Sequence, residues 1–255
     1  MIKKIVVLPD IHLSEELSRA YQLVKRFIKK EKPDTIILLG DFMDVSALSA
    51  WDSDKRRLME GKRWLRELNI ANTELDFLQT HSKEIVYLEG NHEDRVTRYL
   101  DRHPIMEGLI EIQPGLRLKE RNIKWVGNMV LHKVGKLYMT HGWYTTTYHA
   151  KKHLTVIGGN VCYGHTHRAM SDMLNMQLHK PTMAWGLGCL CGKEPEWMRG
   201  RPANWINGFA VVYLNDKTGE FNLYPINIIS NKFIWNGKEY DGSKLQVINY
   251  GEKPT

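Results

Sequence analysis

A chain of 255 residues, 42% hydrophobic and 25% charged, carries enough apolar material for a full core, which excludes intrinsic disorder. No stretch approaches the roughly 18 consecutive apolar residues of a membrane span. A formal net charge of +7 favours anionic partners, nucleic acid first among them, although a merely solubilising basic surface reads the same way.

The N-terminal run Ile5-Val6-Val7-Leu8 is too short for a signal peptide and is interrupted by Asp10. It reads as a first strand running into Asp10 and His12. Ser14 is the expected cap of a helix with Glu15 and Glu16 in its first turn, where the helix dipole favours acids. Leu17, Ala20, Tyr21, Val24, Phe27 and Ile28 keep helical spacing until Lys29-Lys30 and Pro33 close it. The next run, Ile36-Ile37-Leu38-Leu39, stops at Gly40-Asp41-Phe42-Met43-Asp44. That is a buried strand ending in a tight turn, with a carboxylate at its C-terminal end. Strand, helix, strand in this order makes a right-handed parallel unit the default, and open α/β sheets bind ligands at those strand ends.

Between Asp44 and Ile85 the pattern is helical. Residues 55–67 hold six basic and two acidic side chains, with Trp51 and Trp64 nearby. This is either a solvated helix face or a phosphate-contacting surface with aromatic platforms. Ile85-Val86-Tyr87-Leu88 then delivers Gly90-Asn91-His92-Glu93, and a helix over 93–102 sets Arg95, Arg98 and Arg102 along one side. Residues 104–122 are irregular, 123–140 alternate as strands, and 145–155 suit another helix. Leu137-Tyr138-Met139 leads to His141-Gly142, and Val161-Cys162-Tyr163 to Gly164-His165-Thr166-His167.

The Met-, Trp-, Gly- and Pro-rich stretch 170–208 reads as long loops over the site, with Trp185, Trp197 and Trp205 beside Lys193, Arg199 and Arg201. Core packing accounts for these tryptophans equally well. Three cysteines give no disulfide framework, which fits reduced thiols in a cytoplasmic protein. Cys189-Leu190-Cys191 lacks the second pair of a zinc site and reads as ordinary buried cysteine. From Phe209 to Tyr250 antiparallel strands follow, with a hairpin of Val211–Leu214 and Phe221–Tyr224 and a turn at Asn236-Gly237. No repeat or linker divides the chain, so one domain over 1–255 is expected.

Five apolar runs thus deliver oxygen or imidazole ligands at the same end. Asp10, His12, Asp41, Asn91, His141, His165 and His167 are the metal-ligand candidates, a mixture that suits manganese, iron or zinc better than calcium or magnesium. One ion needs only three or four of these groups. Seven suggest two adjacent ions bridged by Asp41, an arrangement that clamps the attacking and leaving oxygens of a displacement at phosphorus and generates hydroxide near neutral pH. The remaining histidines, His81, His103, His132, His149, His153 and His179, read as surface or core residues.

The blocks Asp-x-His, Gly-Asp-x-x-Asp, Gly-Asn-His-Glu, His-Gly and Gly-His-Thr-His, in this order over residues 10–167, resemble the calcineurin-like metallophosphoesterase family. The resemblance implies a four-layer α/β/β/α sandwich with mixed sheets and a dinuclear site. Asp10, His12, Asp41 and His167 would bind one ion, and Asp41, Asn91, His141 and His165 the other. The two ions would be manganese first, with iron, zinc or nickel as alternatives. His92 would be the catalytic imidazole on the leaving-group side, with Asp44 orienting it.

Within the family, Gly-Asn-His-Glu is similar to the protein phosphatases, whose arginine after the second acid is replaced here by Val45. Gly-His-Thr-His is similar to the phosphodiesterase and repair-nuclease branches. The resulting expectation is hydrolysis of phosphodiester bonds with DNA as substrate, that is, a nuclease. The alternatives are a small-molecule phosphodiesterase or phosphatase acting on nucleotides, and a catalytically silent binding scaffold.

Overall fold

The computed structural model describes residues 1–49, 54, 59–192 and 203–251. Trp51, residues 55–58 of the basic run, and Lys193, Trp197, Arg199 and Arg201 lie outside the described residues.

Thirteen strands among the described residues form two large sheets and a hairpin. In the first sheet, β1 (Ile2–Leu8), β2 (Thr35–Leu38), β3 (Glu84–Leu88) and β4 (Lys124–Val126) run parallel. Antiparallel β10 (Asn207–Asn215) and β11 (Phe221–Ile228) extend the β1 edge, giving the order β11-β10-β1-β2-β3-β4. The second sheet contains β5 (His132–Val134), β6 (Leu137–Thr140), β7 (Asn160–Tyr163), β8 (Ala169–Met176) and β9 (His179–Leu187), in the order β5-β6-β7-β9-β8. β12 (Lys232–Trp235) and β13 (Lys238–Asp241) form the hairpin. Its turn, Asn236-Gly237, has φ of 49° and 69°, as a two-residue turn matching strand twist requires.

Side-chain alternation along each strand builds the layers. Ile5 and Val7 of β1, Ile37 and Leu39 at β2, and Val86 and Leu88 of β3 face the second sheet, where they meet Leu137, Met139, Cys162, Trp185 and Leu187. The intervening Val6, Leu8, Ile36, Leu38, Ile85 and Tyr87 pack on the other face in the helix-side core, which includes Tyr21, Val24 and Phe27 of α1 (Arg19–Glu31) and Ala71, Leu75 and Leu78 of α2 (Trp64–His81). Val161 and Tyr163 of β7 turn outward onto Ala150 and Leu154 of α4 (His149–Ile157), and α3 (Asp94–Arg102) follows β3. The result is the expected four-layer α/β/β/α sandwich.

Two expectations change. The first helix is capped by Ser18, whose hydroxyl accepts from the Tyr21 amide at 3.0 Å, and its first turn holds no acid. Leu13 and Glu16 are held in bridges to Met43 and Asn249, and Ser14 donates to the Glu16 carbonyl, so the chain cannot coil until Ser18. The stretch read as loops over 170–208 contains the β8–β9 hairpin. β8 is an edge strand exposed along most of its length, so its sequence has no period-2 contrast to reveal it. Trp185 on β9 is a core residue between the sheets.

The helix side is tied together by Glu74, which is fully buried. It accepts from Tyr21 Oη at 3.1 Å and Tyr250 Oη at 2.6 Å, and lies 2.7 Å from Lys25 Nζ. α1, α2 and the C-terminal segment thus share one carboxylate. Glu74→Ala leaves Lys25 and two hydroxyls without their common partner and should cost about 3 kcal/mol. Urea unfolding at pH 7 measures this, and a loss within experimental error of zero would contradict it.

Candidate metal centre

Each ligand-bearing turn sits at the C-terminal end of a strand, and the turns are stitched to each other by backbone. The His12 amide donates to Asp41 O at 2.8 Å, Leu13 to Phe42 O at 2.9 Å, and Gly164 to His141 O at 2.8 Å. Asp10, His12, Asp41, His165 and His167 all have positive φ, from 44° to 67°. Left-handed backbone at non-glycine residues costs of order 1–3 kcal/mol each and persists only where surrounding structure imposes it. β-branched Val45, beside Asp44, shares the strain with φ of 48°. Glycine supplies the clearance. A methyl at Gly90 would overlap the Asp41 carboxylate, and one at Gly164 would overlap that of Asp10.

All seven candidate ligands and His92 meet here. Asp41, 2% exposed, is the centre: its Oδ2 lies 3.3 Å from His141 Nε2, 3.5 Å from His12 Nε2 and 3.9 Å from His92 Nε2. Asp10 Oδ1 lies 3.2 Å from His167 Nε2, and the Asp10 carboxylate accepts from the His165 amide at 2.9 Å. His12 and His167 face each other through Nε2 atoms 3.2 Å apart. Asn91 Oδ1 stands 2.9 Å from His141 Nε2, whose Nδ1 donates to Leu39 O at 3.0 Å. Asp10, His12 and Asp41 form one donor group, and Asp41, His141 and His165 another, with the donor atoms of each within 4.8 Å of one another. His12, Asp44 and His92 meet the same criterion, as do His12, His167 and Cys191.

Charge follows from this packing. Burial alone would raise Asp41, but the neighbouring His141, His92 and His12 imidazoles overcome it and hold the carboxyl well below its usual range. Burial opposes protonation of His141, yet Asp41 against its ring pushes it up to about 10. Burial and the nearby His92 hold His12 below the ordinary imidazole value, so its lone pair stays available as a donor. Among the described residues, the side-chain partners of Asp10 and Asp41 are imidazoles rather than lysine or arginine. Two desolvated carboxylates, converging imidazoles and an amide oxygen form a donor set that fits divalent transition metals.

His92 is oriented from behind. Its Nδ1 donates to Asp44 O at 2.8 Å and lies 3.0 Å from the Asp44 carboxylate, which also reaches His12 Nδ1 at 3.2 Å. Glu67 holds the loop beyond, accepting from Ser46 Oγ at 2.7 Å and the Ala47 amide at 3.0 Å.

Glu93 closes the Gly-Asn-His-Glu block, and its role emerges only in the fold. It is fully buried and accepts from the amides of Asp41 (3.0 Å), Met43 (2.9 Å) and Gly90 (2.9 Å) and from Tyr87 Oη (2.8 Å), locking the two central turns together. Burial and the charge of Asp41 push it up to about 7. Arg95 and Trp205, both singled out in the sequence, also reach the centre. Arg95 donates to Asp44 O at 2.9 Å and lies 3.0 Å from His92 Nε2, and Trp205 packs edge-on to His167 with ring centroids 4.2 Å apart. The other histidines stand elsewhere: His81 stacks near Phe77, His103 near Tyr99, and His149 and His153 against Tyr163.

The sequence pattern of the calcineurin-like phosphoesterase family matches residues 3–160, and the chain belongs to that family. Similar proteins include the Gene 54 protein of Mycobacterium phage L5, 25% identical over 94% of this chain and 100% of its own length. The Gene 54 protein of Mycobacterium phage D29 is 24% identical over 89% of this chain and 94% of its own. Among solved structures, a single mutant of Vps29 from Entamoeba histolytica aligns with 97% of this chain and 99% of that chain, at 12% identity and a TM-score of 0.48.

The glycine contacts give a test of the centre. Gly90→Ala or Gly164→Ala should displace Asp41 or Asp10 and lower bound divalent metal at least roughly tenfold, the scale of perturbing a ligand's support. Metal analysis after dialysis reads this. Wild-type metal content in both variants would contradict the assignment.

Proposed function

We propose that this chain is a metal-dependent phosphodiesterase whose substrate is nucleic acid. The observation that carries the proposal is the convergence of three imidazoles on the buried Asp41 carboxylate, within 3.3 to 3.9 Å. Asp10, His12, Asp41 and His167 would hold one divalent cation, and Asp41, Asn91, His141 and His165 a second, with Asp41 shared. When bound, such a pair polarises phosphoryl oxygens and lowers the pKa of water from 15.7 to roughly 7, so no side-chain nucleophile is needed.

The remaining steps fall to the chain itself. His92, its Nδ1 fixed by Asp44, directs toward the reacting centre an Nε2 that accepts from Arg95. When Arg95 turns to the phosphoryl group, that nitrogen is free to carry the proton that the leaving oxygen takes. Arg95, 3.0 Å from that nitrogen, is in place to bind a non-bridging phosphoryl oxygen. His92 and Asp44 keep 18% and 32% of their side-chain surface exposed, whereas Asp41 keeps 2%, so substrate would enter on the His92 side.

Nucleic acid is favoured over a small diester by charge. The net charge is +7. Along α3, Arg95, Arg98 and Arg102 fall within roughly 60° of one another at 100° per residue, leading away from His92. Arg98 is 52% exposed. A row of guanidinium groups beside the reacting centre suits a chain of phosphates better than a single one.

His92→Ala should reduce turnover roughly 10²- to 10⁴-fold with metal content near wild type. Asp41→Asn should lose both turnover and metal. Hydrolysis of an aryl phosphodiester and of single- and double-stranded DNA and RNA by manganese-loaded protein measures the first, and metal analysis the second. Full activity in either variant would contradict the assigned roles. Cleavage of the aryl diester with every nucleic acid left intact would transfer the reading to a small-molecule phosphodiesterase.

A further inference from the structure

Cys191 was expected to be an ordinary buried cysteine, and its surroundings are not those of one. Cys162 illustrates the ordinary case, packed in the apolar core between the sheets. The thiol of Cys189 is engaged by the Ile206 carbonyl and by Asn207 Nδ2, each at 3.7 Å. The sulfur of Cys191 contacts the Cys189 thiol and also lies 3.8 Å from His167 Nδ1. It, His12 and His167 offer three donor atoms that all lie within 4.8 Å of one another. His12 and Cys191 also line one small cavity with Ser14 and Ser18.

The segment is fixed to the metal centre by its backbone. The Leu190 amide donates to Asp10 O at 3.0 Å. Cys189 N donates to Ile206 O, and Ile206 N to His167 O, both at 3.0 Å. Asn207 Nδ2 donates to Cys191 O at 2.8 Å, and Ser18 Oγ donates to Leu190 O. The two residues whose backbones anchor this segment, Asp10 and His167, are themselves candidate ligands. The His12–His167 Nε2 separation of 3.2 Å is close to the roughly 3.3 Å that two nitrogens adopt around a tetrahedral cation with bonds of about 2.0–2.1 Å.

We propose that Cys191 is a metal ligand: its sulfur joins His12 and His167 on the Asp10 side of the centre and biases that half toward thiophilic cations such as zinc, cobalt or ferrous iron. This rests on the metal-dependent reading above. Soft thiolate selects such cations, whereas the Asn91 half, with two oxygen and two imidazole donors and no sulfur, accepts manganese. Coordination releases the thiol proton to solvent. The two halves of the centre then differ in metal preference.

The test loads chelator-stripped full-length protein with cobalt(II) and records its absorption spectrum. Wild type should show visible ligand-field bands, reporting bound cobalt, and a near-ultraviolet sulfur-to-cobalt charge-transfer band. Cys191→Ser should keep the first and lose the second, and its zinc affinity should fall roughly ten- to a hundredfold while manganese affinity stays near wild type. Circular dichroism establishes that the variant is folded, and the wild-type spectrum needs no substitution. Ligand-field bands without charge transfer in wild type, or a charge-transfer band surviving in Cys191→Ser, would overturn the proposal. Absence of any bound cobalt would instead remove the metal-dependent reading on which it rests.

Discussion

The arrangement depends on a carboxylate buried where two sheets meet. Asp41 is 2% exposed, and its neighbours are imidazoles from three other turns. A desolvated charge is costly unless matched, and the match here comes from groups that bind a proton or a cation equally well. Much of the surrounding architecture serves that atom group. Glu93 receives its amide, Gly90 leaves it room, and the His92 amide donates to Oδ1 at 2.9 Å.

Neither sheet could assemble this centre alone. β1, β2 and β3 supply carboxylates, an amide oxygen, and His12 and His92, while the turns after β6 and β7 supply His141, His165 and His167. The two sheets are joined by the apolar layer of Ile5, Val7, Ile37, Val86, Met139 and Cys162, so ligand spacing is set by side-chain packing several residues away. Rigid interiors transmit such spacing faithfully. The left-handed backbone at five candidate ligands belongs to the same scheme: local strain is tolerated because sheet packing and turn-to-turn hydrogen bonds outweigh it.

Much of this was legible in the sequence, for physical reasons. Runs such as Ile36–Leu39 are buried on both faces, so they are continuously apolar, and all but Ile5–Leu8 end in a glycine-containing turn that exposes a ligand. That signal is local and strong. What escaped was non-local. Nothing near Ser14 announces that Leu13 and Glu16 are held by Met43 and Asn249, which moves the helix cap to Ser18. The β8–β9 hairpin was hidden because β8 is exposed on both faces at the edge of its sheet. Glu93 and Cys191 gain meaning only from contacts across the fold. An acid at the head of a helix and a Cys-x-Cys pair without a partner pair are both commonplace until their neighbours are known.

A centre of this kind stands or falls on where cations bind. Anomalous diffraction from crystals equilibrated with manganese and with zinc locates them directly. The account predicts two peaks roughly 3.5–4 Å apart, one on each side of the Asp41 carboxylate. A single peak remote from Asp41, or none at saturating metal, would contradict it.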